Sequence, residues 1–143
     1  MSETIQHPDI LDGHRLGLEQ LRRRTADSVA AIRQSVQATH WQGNTATKVR
    51  ASLADTERLL NESLNDLDQA IAEIRAHSRW TMDQRNELLW IEHRVERWVT
   101  EFWALPPEHQ ELSLIKPNHL RLPVRYNTAW RNVYQQLLHA GVV

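Results

Sequence analysis

No cysteine occurs among the 143 residues. That absence excludes a disulfide scaffold, a thiolate zinc site and a cysteine nucleophile together. Glycine is scarce, at four residues, which is few for the loop-rich surface of most small enzymes and favours long helices joined by few turns. Apolar runs stop at two to four residues, so no helix is expected to span a bilayer. No basic start leads into an apolar stretch, and no cleaved Sec leader is expected. Charge of one sign is lacking too. Seventeen basic and eighteen acidic residues leave a net charge of -1, with no global pull towards nucleic acid.

What remains is an ordinary globular composition, 41% hydrophobic and 24% charged, at the length of one domain or of a hairpin with an appendage. Lys48 and Lys116 are the only lysines among the seventeen bases. The arginine excess reads as codon bias from a GC-rich genome.

Periodicity organises most of the chain. Residues 1–13 lack it, are interrupted by Pro8, and read as a loose N-terminal arm. From about His14, the residues Leu18, Leu21, Thr25, Val29, Ile32 and Val36 step by three or four and predict an amphipathic helix. The stripe ends at Thr39-His40 and is followed by Trp41-Gln42-Gly43-Asn44. A second helix is expected from Asn44 or Thr45, either of which can cap it. Its stripe runs Ala46, Val49, Leu53, Thr56, Leu60, Leu64, Leu67, Ile71 and Ile74. At 1.5 Å per residue the two rods measure roughly 40 and 50 Å, and the short turn lays them antiparallel. Small residues interrupt both stripes (Ala30, Ala31, Ser35 and Ala38; Ala51, Ser52 and Ala54), so the pair removes little apolar surface from water. Such a hairpin is marginal alone. Its cover is either another chain or its own C-terminal part.

Residues 79–143 differ in composition. Trp80, Trp90, Trp98, Phe102 and Trp103 fall within one short stretch. Leu88, Ile91, Val95, Trp98, Phe102 and Leu105 form a stripe that predicts a third helix over about 82–104, stopped by Pro106-Pro107. This Trp-rich helix reads as core over the hairpin, as a partner-binding face through Trp90, Trp98 and Trp103, or as an interfacial membrane helix. Glu92, Glu96 and Glu101 oppose the last. Leu112 and Leu114, then Leu120, Leu122 and Val124, alternate with polar residues around Lys116-Pro117-Asn118-His119, a pattern that fits a small β-hairpin. A last helix starts at Asn127 or Thr128, carries Trp130, Val133, Leu137 and Leu138, and stops at Gly141.

The tripeptide Trp41-Gln42-Gly43, placed between two glycine-poor amphipathic helices, resembles the WXG family of small type VII (ESX-type) secretion substrates. The resemblance covers about residues 14–78. Trp41 buries a ring where two rods diverge, and Gly43 accepts the backbone conformation a sharp reversal needs. The resemblance implies an export substrate or companion subunit. Its expected partners are a second copy in a homodimeric four-helix bundle, or a second WXG-like chain, together with a component of the secretion apparatus. It implies a cytoplasmic protein exported by a non-Sec route, and the Arg-rich composition agrees with an actinobacterial source. Two features depart from the family. The export signal Y-x-x-x-[DE] is missing: Trp80 is followed four residues later by Gln84, Tyr126 by Trp130 and Tyr134 by Leu138. The extension from His77 to Val143 is additional.

Signals for catalysis are thin. None of the eight histidines has a glutamate three residues before it, and no two lie four apart, so the helical di-iron and H-E-x-x-H patterns are missing. His93 with Glu92 and Glu96 reads as a solvated polar group. There is no G-x-S-x-G and no phosphate-binding glycine loop. His109, His119, Arg121, Arg125 and Tyr126 cluster in a basic, irregular stretch where a small effector enzyme could reside. We therefore expect a mainly α protein. A WXG-like antiparallel hairpin packs with a third Trp-rich helix and a small C-terminal cap. No catalytic residue, metal or cofactor is expected, and Trp41 and Gly43 form the turn. The expected function is non-catalytic protein interaction. A small toxin-like enzyme and a helical component of a phage or secretion assembly are the alternatives.

Overall fold

The computed structural model describes residues 2–39 and 42–143. Trp41, expected at the turn, and His40 lie outside the described residues. The protein is mainly α: α1 spans Asp9–Ala38, α2 Gly43–Trp103, α3 Pro107–Leu112 and α4 Ala129–His139, with a 3-10 turn at Pro117–His119. Two compact units emerge, one of Asp9–Ser78 and one of Met1–Pro8 with Arg79–Val143.

Three expectations are corrected. The Trp-rich stretch is not a third helix but the continuation of α2, a single helix of 61 residues. The shift to aromatics near His77-Ser78 marks a change of packing partner. No glycine or proline lies between Asn44 and Leu105 to break the ladder. The N-terminal residues are not a loose arm. Helix α1 begins at Asp9, its first turn carrying Asp9 and Asp12 where the helix dipole favours acids, and Ile5 is buried. The small β-hairpin that the alternation within 108–125 fits, with Pro123 weighing against its second strand, does not form. Residues 107–112 form α3, and Lys116-Pro117-Asn118-His119 winds into the 3-10 turn, with His119 N donating to Lys116 O at 3.0 Å. The isolated bridge among the described residues pairs Thr4 with Asn127.

In the unit of residues 9–78, contacts between α1 and α2 set the register. As the α1 partner advances from Asp12 to Glu19, Arg22 and Arg33, the α2 partner retreats from Ser78 to Arg75, Asp68 and Glu57. The two helices therefore run antiparallel. Helix α2 opens at Gly43, ahead of Asn44 and Thr45, and Gly43 adopts φ +62°.

The other unit holds a core. Leu88, Ile91, Val95, Trp98 and Phe102 of α2 face Trp130, Val133 and Leu137 of α4, and Ile5 closes the cluster. Leu105, the last residue of that stripe, stays partly exposed beyond the end of the helix. Each fully buried aliphatic chain contributes roughly 1.5–3 kcal/mol. Trp130 keeps its indole N–H satisfied by Val124 O at 3.0 Å. The C-terminus of α4 is a Schellman cap: Gly141, at φ +72°, donates to Leu138 O and Val142 donates to Leu137 O.

The N-terminal strap is held by main chain and side chain together. Ile5 N donates to Tyr126 O at 2.9 Å, and Thr128 N to Glu3 O at 2.8 Å. Arg85 donates to Ile5 O at 2.7 Å, and its guanidinium lies 3.6 Å from the centre of the Tyr126 ring.

Candidate interaction surface

The α1–α2 pair has two unlike flanks, because each stripe is bordered by polar residues on one side and small or apolar residues on the other. The first flank is ionic. Arg22 pairs with Asp68, Arg33 Nε donates to Glu57 Oε1 at 2.9 Å, and Arg75 Nη2 donates to Glu19 Oε1 at 2.5 Å, with Arg15 on the same carboxylate at 3.1 Å. The hydrogen bond from Arg22 holds the Asp68 carboxyl below its usual range. At Glu19, burial pushes upward, but the hydrogen bonds and charges of Arg15 and Arg75 outweigh it, so its carboxyl also stays below the ordinary value.

The second flank is apolar and open. Leu21 and Thr25 of α1 with Leu60, Ser63, Asp66 and Leu67 of α2 line a groove of about 480 Å³. Ile32 and Val36 with Lys48, Val49, Ser52, Leu53 and Thr56 line another of about 340 Å³. Leu21 is 50% exposed and Ile32 45%. In the whole of residues 9–78, Val29, Ala46, Ile71 and Ser78 are the buried residues among those described.

The aromatic residues singled out as a partner face divide. Trp98 is 7% exposed and sits inside the core, so it is withdrawn from that face. Spaced seven and four residues from Val95-side neighbours Ile91 and Phe102, it shares their stripe and is buried with them. Trp90 and Trp103 remain about half exposed. The Trp90 ring meets Tyr134 edge-on at 5.7 Å and has Arg94 5.3 Å from its centre. Trp103 packs edge-on against Phe102 at 5.1 Å.

Three side chains could hold a metal ion: ligand atoms of Glu92, His93 and Glu96 lie within 4.8 Å of one another. Arg125 Nε already donates to the buried Glu92 at 2.9 Å, so a cation would enter beside a fixed positive charge. His109 lies on α3 and His119 on the 3-10 turn, both exposed. Among the described residues no helix is long and apolar enough to cross a membrane.

Sequence reasoning found the stripes and their weakness but missed the difference between the flanks. The signal was available in the positions of Arg22, Arg33, Glu57, Asp68 and Arg75, which all fall to one side of the apolar seam. It also missed Arg85 and Ile5, for which no local pattern exists. Comparison with known proteins yields no match to a family model, a curated protein or a solved structure.

Proposed function

We propose that this chain is a non-catalytic protein-interaction protein that docks a partner on the apolar flank of α1 and α2. Following the resemblance at Trp41-Gln42-Gly43, we read it as a companion subunit or substrate of type VII secretion, cytoplasmic before export by a non-Sec route. The observation that carries the reading is the contrast in burial. Residues 9–78 leave Leu21 50% and Ile32 45% exposed in two grooves of this flank, with Leu59 57% exposed as well. A solvated helix pair has no use for such a flank, and covering it removes apolar area worth about 25 cal/mol per Å². The antiparallel pairing of α1 with α2 and the left-handed Gly43 at the start of α2 support the family reading.

The test is expression of the tagged chain in a type VII-competent actinobacterial host, with and without the secretion ATPase. The reading expects ATPase-dependent release from cells, or co-purification with a second Trp-x-Gly chain. Either is lost when Ile32→Asp and Leu60→Asp are combined, while tryptophan fluorescence of the other unit is unchanged. Release and pairing both absent in the unaltered chain would sink it.

A further inference from the structure

The borders of the apolar flank are chemically lopsided. On α2, Asp55, Glu62, Asp66 and Glu73 follow one another at intervals of seven, four and seven, which places them on one helical stripe along the outer border. All four are exposed, Leu59 stands 57% exposed among them, and Asp66 lines the larger groove itself. Lys48 closes this border at the turn end. On α1 the matching border is Gly13, Gly17, Arg24, Ala31 and Ser35, again at intervals of four and seven. It is nearly all small residues, and a Cβ built at Gly13 or Gly17 would meet nothing within 4 Å. On this border Arg58 lies 3.9 Å from Asp55, an exposed and weakly held pair, which leaves Glu62, Asp66 and Glu73 without an arginine ion pair among the described residues. Arg22, Arg33 and Arg75 are committed on the opposite flank, to Asp68, Glu57 and Glu19.

From this asymmetry we infer that the occupant of the flank is a basic amphipathic helix from a different protein. The inference rests on the docking function proposed above and names the chemistry of the partner. A second copy is a poor occupant. Laying α2 on α2 brings two acidic borders together, and like charges across an interface oppose association. Laying α1 on α2 offers Arg24 against four carboxylates. A foreign helix satisfies both demands. Leucine-type residues spaced three and four apart fill the grooves, which run from Leu21 to Val36, or roughly 22 Å of helix axis. Arginines or lysines on one of its edges meet Asp55, Glu62, Asp66 and Glu73. Its other edge packs closely over the small residues of α1.

The experiment uses the full chain and two synthetic helical peptides with the same leucine spacing, one flanked by arginine and one by glutamate. Fluorescence anisotropy is read at about 50 mM and about 500 mM salt, where screening differs strongly. The arginine peptide is expected to bind at least about tenfold tighter than the glutamate peptide at low salt, with the gap narrowing at high salt. Glu62→Lys with Asp66→Lys, both solvent-facing, is expected to keep the circular dichroism of the unaltered chain and to reverse the preference. Equal affinity for the two peptides, binding of neither, or an unchanged preference in the charge-reversed chain overturns the inference. Sedimentation showing a dimer that Ile32→Asp disrupts also overturns it, and leaves docking on this flank standing with a second copy as occupant.

Discussion

Gly43 opens α2 in a left-handed conformation that costs any side-chain-bearing residue energy. Among the described residues nothing lies within 4 Å of where its Cβ would be, so the cost of replacing it is conformational. Gly43→Ala should destabilise residues 9–78 by about 1 kcal/mol in urea melts followed by circular dichroism; an unchanged midpoint would contradict the backbone account. Arg85 is a second single-residue anchor, holding Ile5 O and stacking on Tyr126, itself at φ +62°. Arg85→Ala should cost about 1–3 kcal/mol and speed amide exchange at Ile5 and Thr128. Unaltered exchange there would show that the strap holds itself. Leu137 is fully buried, and Leu137→Ala should cost about 2–5 kcal/mol by leaving a cavity under α4. The value of Leu137 was legible from its spacing with Trp130 and Val133. The value of Ile5 was not, because a single apolar residue in an aperiodic stretch carries no pattern, and it is held by its own bond to Tyr126 O and by the bridge of its neighbour Thr4 to Asn127, 123 positions away.

At the scale of elements, helix existence was legible and helix extent was not. Before His14, α1 has only Ile10 and Leu11 as apolar positions and carries Gly13, so its true start at Asp9 leaves little trace. The break expected between two helices near Ser78 rested on composition alone, whereas helix termination needs a breaker or a cap, and Pro106 is the first breaker after Gly43. The pairing of α1 with α2 adds a pH dependence. Asp68 and Glu19 have folded-state pKa values depressed by their arginine partners. Their contribution is therefore complete above the unfolded-state values, 3.8 and 4.5, and is lost as pH falls through the lower folded values. Residues 9–78 should lose helicity on acidification below about pH 4 before the α2–α4 core does. Selective loss of the core first, followed by tryptophan fluorescence, would contradict that order. Because Asp68 is exposed and Glu19 partly so, added salt should weaken the same pairing at neutral pH, most of all at Asp68.

Across the whole molecule, one helix serves two different environments. The part of α2 in residues 79–103 faces a core of nine buried side chains, while the part in residues 43–78 contributes Ala46, Ile71 and Ser78 as its buried residues. Sequence reading anticipated a marginal helix pair in want of a cover, from the alanines and serines in its stripes. Which flank is left open was legible in part, since Arg22, Arg33, Glu57, Asp68 and Arg75 fall to one side of the seam, but which of them pair across it follows from the fold. Local stability follows buried contact density, so residues of a continuous helix should differ in protection where their burial differs. Native-state hydrogen exchange along α2 in the isolated full chain tests this most directly. The account predicts that amides of 79–103 exchange near the rate set by global unfolding, with those of 43–78 at least about tenfold faster. Uniform protection from end to end would mean that the α1–α2 pair is stable as it stands, and its apolar flank would need no partner.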